Sequence, residues 1–143
     1  MQVRITRLDP SVPLPRYHTN GSVAFDLSSR MDMTVPSRTT ARVPTGLVIA
    51  TPPGYALIIT LRSSTPERKG LLMPHGTGLS DQDFCGPHDE LHLLVYNFTD
   101  APVTITKGER IGQGFFTPIE KVIWEEGMPQ ATISRGGFGS TGP

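Results

Sequence analysis

Residues 46–61 read GLVIATPPGYALIITL, and this stretch decides the class of fold. Two runs within it, Gly46–Thr51 and Tyr55–Leu61, are rich in β-branched and aromatic residues, as strands require. Between them stands Pro52-Pro53-Gly54, in which proline presets φ and glycine accepts a positive φ. The pattern predicts two strands joined as a hairpin.

The second of these strands lacks a strongly polar face. Its alternate residues, counted from Tyr55, are all apolar or aromatic, and the intervening residues stay mostly apolar until Arg62. A strand of this kind is usually covered on both sides. We therefore expect this strand to be covered on both sides, by a second sheet or by another subunit.

Glycine and proline divide the rest of the chain into short extended pieces. The 143 residues include 15 Gly and 14 Pro, and no long segment has helical periodicity. Further strands are predicted at Ile5–Leu8, Glu90–Phe98, Val103–Ile105 and Gly114–Thr117. The predicted fold is all-β, a jelly-roll-like sandwich or barrel.

Charge and composition exclude several classes of protein. The 13 Lys and Arg balance the 13 Asp and Glu, so bulk charge gives no reason to expect nucleic-acid or membrane binding. No apolar run approaches the roughly 20 residues that span a bilayer. Cys85 is the only cysteine, and residues 1–6 lack the apolar run of a signal peptide. We expect a single soluble domain in the cytoplasm.

The last nine residues, 135–143, read RGGFGSTGP. A segment so rich in glycine cannot pack a core of its own. Glycine amides can approach a phosphate closely, Arg135 can pair with it, and Phe138 can stack on a ring. We therefore expect residues 1–134 to form the β domain and residues 135–143 to form a flexible arm that closes over a ligand.

Two polar segments carry residues suited to phosphate chemistry. Arg62-Ser63-Ser64 follows the second strand, and a cation with hydroxyls at a strand end suits a phosphate. Asp81 and Asp83 point the same way in an extended segment, so one could orient a water while the other bonds locally.

Five segments stand in order along the chain: Ala24–Leu27, Arg62–Ser64, Gly78–Gly86, Gly108–Gln113 and Gly136–Gly142. They resemble, in that order, the five motifs of the trimeric deoxyuridine triphosphatases (dUTPases). The last of them, GGFGSTG, is nearly diagnostic. The resemblance implies an all-β jelly roll that forms a homotrimer with shared active sites. It also implies Mg²⁺-dependent hydrolysis of dUTP to dUMP and pyrophosphate, a reaction that keeps uracil out of DNA and supplies the precursor of dTMP.

The same resemblance implies roles for individual residues. Asp81 matches the carboxylate that holds and activates the attacking water. Asp26 matches an acid near the metal shell. Phe84 stands where the family usually has Tyr, and its ring would pack on the deoxyribose and exclude a 2′-hydroxyl. The residues that match phosphate contacts are Arg62, Ser63 and Gln113. Ser64 stands where the second motif commonly has Gly, and we expect it to bind substrate with Arg62 and Ser63.

Recognition of the base is implied for residues 72–79. The family typically reads uracil with backbone groups of this segment, which includes Gly78. His75 stands where an Asn commonly contacts the base. A short insertion, residues 87–89, lengthens the turn after Gly86.

The arm matches the fifth motif. Phe138 would stack on uracil, and Gly139, Ser140 and Thr141 would lie beside the phosphates. Arg135 would contact the γ-phosphate, but it precedes Phe138 by three residues where the family has five.

Three alternatives remain at this stage. A dCTP deaminase, or a bifunctional pyrimidine deoxynucleotide enzyme, would share the fold and an Arg-Ser-Ser segment, but the catalytic Glu of deamination, three residues before an Asn, corresponds to Leu94 here. A zinc site could be formed by Cys85, His88 and His92, with His75 nearby in sequence. A non-catalytic binding module with a dUTPase-like fold would need no water-positioning acid.

Overall fold

The computed structural model describes residues 1–137 of the chain. Its strands are β1 (Ile5–Arg7), β2 (Phe25–Ser28), β3 (Met33–Val35), β4 (Thr40–Pro44), β5 (Leu47–Ile49), β6 (Tyr55–Leu61), β7 (Leu71–Leu72), β8 (Gly78–Ser80), β9 (His92–Asn97), β10 (Val103–Ile105) and β11 (Arg110–Pro118). One short helix in this range, α1 (Thr65–Lys69), follows β6. Within residues 1–137 no helix has the length and apolar character needed to cross a membrane.

The strands form four antiparallel sheets around one core. The largest has the order β2-β11-β6-β8, the second has the order β4-β9-β7, and two pairs, β1-β5 and β3-β10, complete the fold. Each sheet contributes fully or almost fully buried side chains to the core, among them Leu27, Leu57, Val43, Leu93, Val35, Ile105 and Ile49. The prediction of an all-β, jelly-roll-like fold is confirmed.

The predicted hairpin of residues 46–61 is wrong, although its turn is present. The amide of Tyr55 donates to the carbonyl of Pro52 at 3.1 Å, and Gly54 has a φ of 79°. A positive φ only at the third residue is the type II geometry, which splays the flanking strands. As a result β5 pairs with β1, while β6 enters the largest sheet between β11 and β8.

The two faces of β6 have different surroundings. Leu57 and Ile59 point into the core and are 0% and 4% exposed. On the opposite face Ile58 stands across from Leu79 of β8 and Phe115 of β11. Ile58 and Phe115 are half-buried, and Leu79 is 69% exposed. We call these three residues the outer patch. Within one chain, therefore, the inner face of β6 is fully covered and the outer face is not.

Two glycines allow β11 to lie in the middle of the largest sheet. A Cβ at Gly112 would lie 2.7 Å from both terminal methyl carbons of Leu93, and one at Gly114 would lie 2.9 Å from the ring of Phe25. Larger side chains there would force the core apart. Gln113, between the two glycines, points to the opposite, outer face of the strand.

Candidate functional site

A cavity of about 400 Å³ lies at the end of the largest sheet where β6 leaves it, and we call it the cationic cavity. Three parts of the chain form it: the segment that leads into β2, the turn after β6, and β11. Its lining residues are His18, Ser22, Ala24, Asp26, Arg62, Ser63, Ser64, Arg110 and Gln113. The fold thus brings together the residues predicted from the first, second and fourth motifs.

Asp26 organises this cavity. Its Oδ1 lies 3.2 Å from Nε of Arg62, and its Oδ2 accepts a hydrogen bond from Nη1 of Arg110 at 3.0 Å. Nε2 of His18 is also 3.0 Å from Oδ2. The Asp26 side chain is only 12% exposed, so these contacts are partly shielded from water. One carboxylate therefore holds two guanidinium groups in place, with positive charge to spare for an anion.

The turn after β6 is anchored to β11 by hydrogen bonds. The amide of Arg62 donates to the carbonyl of Ile111 at 2.9 Å, and the buried Oγ1 of Thr65 donates to the same carbonyl at 2.9 Å. Helix α1 then ends at Lys69 and is capped by Gly70, which has a φ of 64°. These bonds fix Ser63 and Ser64 at the mouth of the cavity.

Gln113 lies opposite both Asp26 on β2 and Thr60 on β6. Its Nε2 donates to Oγ1 of Thr60 at 3.3 Å, which holds the amide on the outer face of the sheet. The backbone register alone therefore brings an amide beside the Asp26 carboxylate.

An ion pair ties α1 to the segment before Arg110. Nζ of Lys69 lies 2.8 Å from Oε1 of Glu109 and donates to the carbonyl of Thr104 at 2.9 Å. Burial would raise the pKa of Glu109, but hydrogen bonds from the Lys69 ammonium and the Thr106 amide together lower it below its usual value. Glu109 therefore stays charged, and the pair holds both edges of the cationic cavity together.

A second cavity, of about 470 Å³, lies at the opposite edge of the same sheet, and we call it the Asp81 cavity. The segment between β7 and β8, the loop after β8, and the start of β9 enclose it. Its lining residues are Arg42, Ile59, Met73, His75, Gly78, Leu79, Ser80, Asp81, Phe84, Glu90, Leu91 and His92. The structure therefore brings together the predicted site residues His75, Gly78, Asp81 and Phe84.

The loop that carries Asp81 is anchored at both ends. Nε2 of Gln82 donates to the carbonyl of Tyr55 at 3.0 Å, and the amide of Phe84 donates to the carbonyl of Asp81 at 3.3 Å. Oδ2 of Asp89, in the insertion of residues 87–89, accepts from the amide of Gly86 at 2.7 Å. The Asp81 carboxylate itself is exposed and accepts no hydrogen bond from residues 1–137, so it can bind a water.

The two cavities do not meet within one chain. The last residue of β8, Ser80, stands across from Leu57, and Gln113 stands across from Thr60, so about 14 Å separates their Cα atoms at ~3.3 Å per residue and ~4.8 Å per strand. Asp81 follows Ser80 directly, and the outer patch around Ile58 lies between this end of β8 and Gln113. An apolar surface that offers no partner to phosphate thus divides the two groups of predicted residues.

Two contributors, His18 and Glu90, were missed by the sequence analysis, and His92 was considered there only as a zinc ligand. His18 lies in an irregular segment eight residues before Asp26, and no pattern connects it to the other lining residues. Glu90 is 9% exposed and accepts from the amide of Gly46 at 2.7 Å, so it is buried in the wall of the Asp81 cavity. His92 stands beside it, with Nδ1 2.8 Å from the carbonyl of Glu90. The alternation of β9 could have indicated the outward direction of His92.

The alternatives gain no support from the geometry. No three His, Cys, Asp or Glu side chains converge as a metal site among the described residues 1–137, and the Cys85 thiol is exposed. Leu94, at the position of a deaminase glutamate, lies in β9 opposite Arg42.

In the predicted arm, Arg135 is exposed, while Phe138, Gly139, Ser140 and Thr141 lie outside the described residues.

The residues that follow β11, from 119 to 137, are exposed. Between residues 119 and 137 there is no helix or strand. This segment exposes several large apolar side chains, and Ile123 and Trp124 are 97% and 90% exposed. Such side chains are normally covered by another protein surface.

The chain is similar to dUTPases over almost its whole length. The family model of dUTPase matches residues 11–142. The chain is 37% identical to the deoxyuridine 5′-triphosphate nucleotidohydrolase of Dictyoglomus turgidum, with 99% of each protein covered. It is also 37% identical to the enzyme of that name from Thermobifida fusca, over 99% of this chain and 79% of that protein.

Solved structures show the same fold. The crystal structure of dUTPase from Streptococcus mutans matches with a TM-score of 0.78 and 26% identity, covering 87% of this chain and 100% of that one. The dUTPase of Staphylococcus bacteriophage 80alpha with dUPNHPP matches with a TM-score of 0.85 over 99% of this chain and 98% of that one, and at 21% identity this likeness is one of fold. By the family match and its relatives, the chain belongs to the dUTPase family.

Proposed function

We propose that this protein hydrolyses dUTP to dUMP and pyrophosphate. The observation that carries the proposal is the pairing of two complementary cavities on one sheet. One has the size of a nucleoside site and contains an unpartnered carboxylate, and the other contains two arginines held by an aspartate. A nucleoside triphosphate needs both environments, and family membership identifies the nucleotide.

In the proposed reaction Asp81 acts as the general base. Its carboxylate accepts a proton from a water, the water oxygen forms a bond to the α-phosphorus, and the bridging bond to the β-phosphate breaks. Pyrophosphate leaves and dUMP remains. Arg62 and the hydroxyls of Ser63 and Ser64 bind the phosphates, with the Gln113 amide beside them, and so stabilise the charge that develops on the leaving group.

We propose that Mg²⁺ binds mainly through phosphate oxygens of the substrate. Both carboxylate oxygens of Asp26 already face cationic side chains, and residues 1–137 provide no cluster of three metal-ligating groups. Mg²⁺ usually keeps several waters and uses substrate phosphates as ligands, so this donor set suits it. Asp26 would hold the metal only indirectly, through water. When bound, the metal offsets charge on the triphosphate.

The active form is proposed to be a homotrimer with shared sites. Asp81 and the cationic cavity are separated by the outer patch, so one chain cannot offer both to the same α-phosphate. A neighbouring copy that covers the outer patch would bury its apolar side chains and bring its own Asp81 cavity to this chain's phosphate ligands. The exposed apolar segment 119–137 offers further surface for such contacts.

Phe84 is the proposed determinant of the sugar. Its ring lies beside Asp81 at the mouth of the cavity and is 41% exposed, so it can pack on a deoxyribose. That packing would leave no space for a 2′-hydroxyl.

Residues 135–143 are proposed to act as an arm that closes over the bound nucleotide. Removing residues 135–143 is expected to lower kcat/KM for dUTP by about 10²-fold or more, because the stacking ring and the phosphate contacts are lost together. The melting temperature should stay nearly unchanged, since all strands within residues 1–137 end by Pro118. Steady-state kinetics and a thermal melt on the same preparation test this. A large loss of thermal stability would contradict the proposal and indicate a structural tail.

One experiment tests base, sugar and reaction together. Pyrophosphate release should be measured with Mg²⁺ on dUTP, dCTP, dTTP and UTP. We expect release from dUTP only, with little from UTP because of Phe84. Release of ammonia from dCTP would indicate a deaminase instead, and no turnover of any substrate would indicate a binding module.

The reducing cytoplasm is the proposed location, where an exposed Cys85 would stay unpaired.

A further inference from the structure

The segment between β7 and β8 holds His75 in one orientation. The amide of Gly76 donates to the carbonyl of Met73 at 3.0 Å, and Gly76 has a φ of 74°, which turns the chain back toward β8. The His75 ring then lies above Gly78, where a Cβ would be 3.6 Å from Cε1 of the imidazole. The ring therefore lines the Asp81 cavity through the space that glycine leaves open.

One hydrogen bond determines the tautomer of this imidazole. Nδ1 of His75 lies 3.0 Å from the backbone carbonyl of Thr77. A carbonyl oxygen can only accept, so Nδ1 carries the proton. In the neutral ring Nε2 then has a lone pair and acts only as an acceptor. Among residues 1–137 no group donates to Nε2, so it is available to a ligand in the cavity.

Uracil and cytosine differ at N3, an atom with which such an acceptor could form a hydrogen bond. N3 of uracil carries a hydrogen and donates, whereas N3 of cytosine has a lone pair and accepts. An acceptor fixed opposite N3 forms a hydrogen bond with uracil and faces a lone pair in cytosine. A site built to accept a hydrogen bond rejects an analogue that lacks the donor much more strongly than an apolar wall does.

We propose that His75, held by Thr77 in its Nδ1–H tautomer, reads the N3 position of the pyrimidine through Nε2 and selects uracil over cytosine. The inference rests on the proposed function, because it assumes that the base enters the Asp81 cavity. It assigns selectivity to a side chain as well as to the backbone of the segment. His92 also lines the cavity, but its Nδ1 is bonded to the backbone carbonyl of Glu90 and it lies at the start of β9 rather than in the segment that carries His75.

Nuclear magnetic resonance of ¹⁵N-labelled histidines tests the tautomer without turnover. At pH 8 the His75 resonances are expected to show a protonated Nδ1 and an unprotonated Nε2. Adding dUMP should shift the Nε2 signal as it accepts a hydrogen bond, and dCMP at the same concentration should shift it much less. An Nε2-protonated ring, or equal shifts with the two nucleotides, would overturn the proposal.

Kinetics of three variants test selectivity. His75→Ala is expected to lower the ratio of kcat/KM for dUTP to kcat/KM for dCTP at least roughly tenfold, mainly through a higher KM for dUTP. His75→Gln should keep more of the ratio, because its amide oxygen can accept from N3. His88→Gln, an exposed histidine outside the cavity lining, should match the unchanged protein.

The outcomes separate the two proposals. If the unchanged protein hydrolyses dUTP and His75→Ala keeps the full ratio, the role of His75 is wrong while the proposed function stands. If the unchanged protein does not hydrolyse dUTP, the proposed function fails, and the comparison of dUMP with dCMP still decides whether His75 reads the base.

Discussion

Replacing Asp81 by Asn should lower kcat for pyrophosphate release from dUTP by about 10²–10⁴-fold, the range attributed to general-base catalysis. Asparagine keeps the size of the side chain and can still hydrogen-bond a water, but it cannot accept the proton. Because Asp81 is exposed and accepts no hydrogen bond from residues 1–137, the fold does not depend on its charge. The KM for dUTP should therefore change only a few-fold, and the melting temperature should not change.

The matched control is Asp83→Asn. Asp83 lies two residues further along the same loop and outside the lining of the Asp81 cavity, so its replacement should leave kcat near that of the unchanged protein. Stopped assays for pyrophosphate give kcat, and calorimetric titration with a non-hydrolysable dUTP analogue gives the affinity. Full activity of Asp81→Asn would show that another group activates the water.

Mixing two inactive variants should restore activity if the sites are shared. Asp81→Asn removes the base, and Arg62→Gln removes a phosphate ligand while it keeps a polar side chain beside Asp26. In trimers assembled from equal amounts of both, a site that takes Asp81 from one copy and Arg62 from another is intact in roughly one case in four. We therefore expect about a quarter of the full activity after the copies are exchanged by unfolding and refolding.

A second mixture is the control for this experiment. Arg62→Gln and Gln113→Ala both affect the cationic cavity, so every mixed site still lacks one phosphate ligand and mixing should restore nothing. Melting curves of each variant show whether it folds. If the Asp81→Asn and Arg62→Gln mixture also stays inactive although both variants fold and exchange, the two cavities of a single chain must serve one substrate, and the shared-site proposal fails.

The sequence analysis was accurate for structure that depends on neighbouring residues and less accurate for contacts between residues far apart in the sequence. Tyr55–Leu61 was predicted with its observed bounds, because seven residues of strand-forming type between glycine and arginine leave little choice. The turn at residues 52–54 was also correct, since it depends on local backbone preferences. The pairing of the strands on either side was wrong, because the type II geometry and the partners β1 and β11 are not visible in residues 46–61.

In the candidate site, too, single residues could be predicted from the sequence, whereas their contacts could not. The motif resemblance named Asp26, Arg62 and Gln113 separately, and the register of β2, β11 and β6 then brought them to one cavity. The pairing of Asp26 with both arginines, and the presence of His18 beside it, depend on contacts between segments far apart in sequence. The tautomer of His75 depends on the carbonyl of Thr77, only two residues away. The imidazole ring reaches this carbonyl because the chain turns at Gly76.

The order of strands in the largest sheet also affects when the protein can fold during its synthesis. Among residues 1–137, β11 is the last strand to be translated, but it lies between β2 and β6 and supplies hydrogen bonds to both. Until the ribosome has made residues 110–118, β2 has no partner strand, and β6 can pair only with β8, so one edge of each stays open. The central sheet therefore closes in a late step of synthesis, when β11 enters between two strands that were made much earlier.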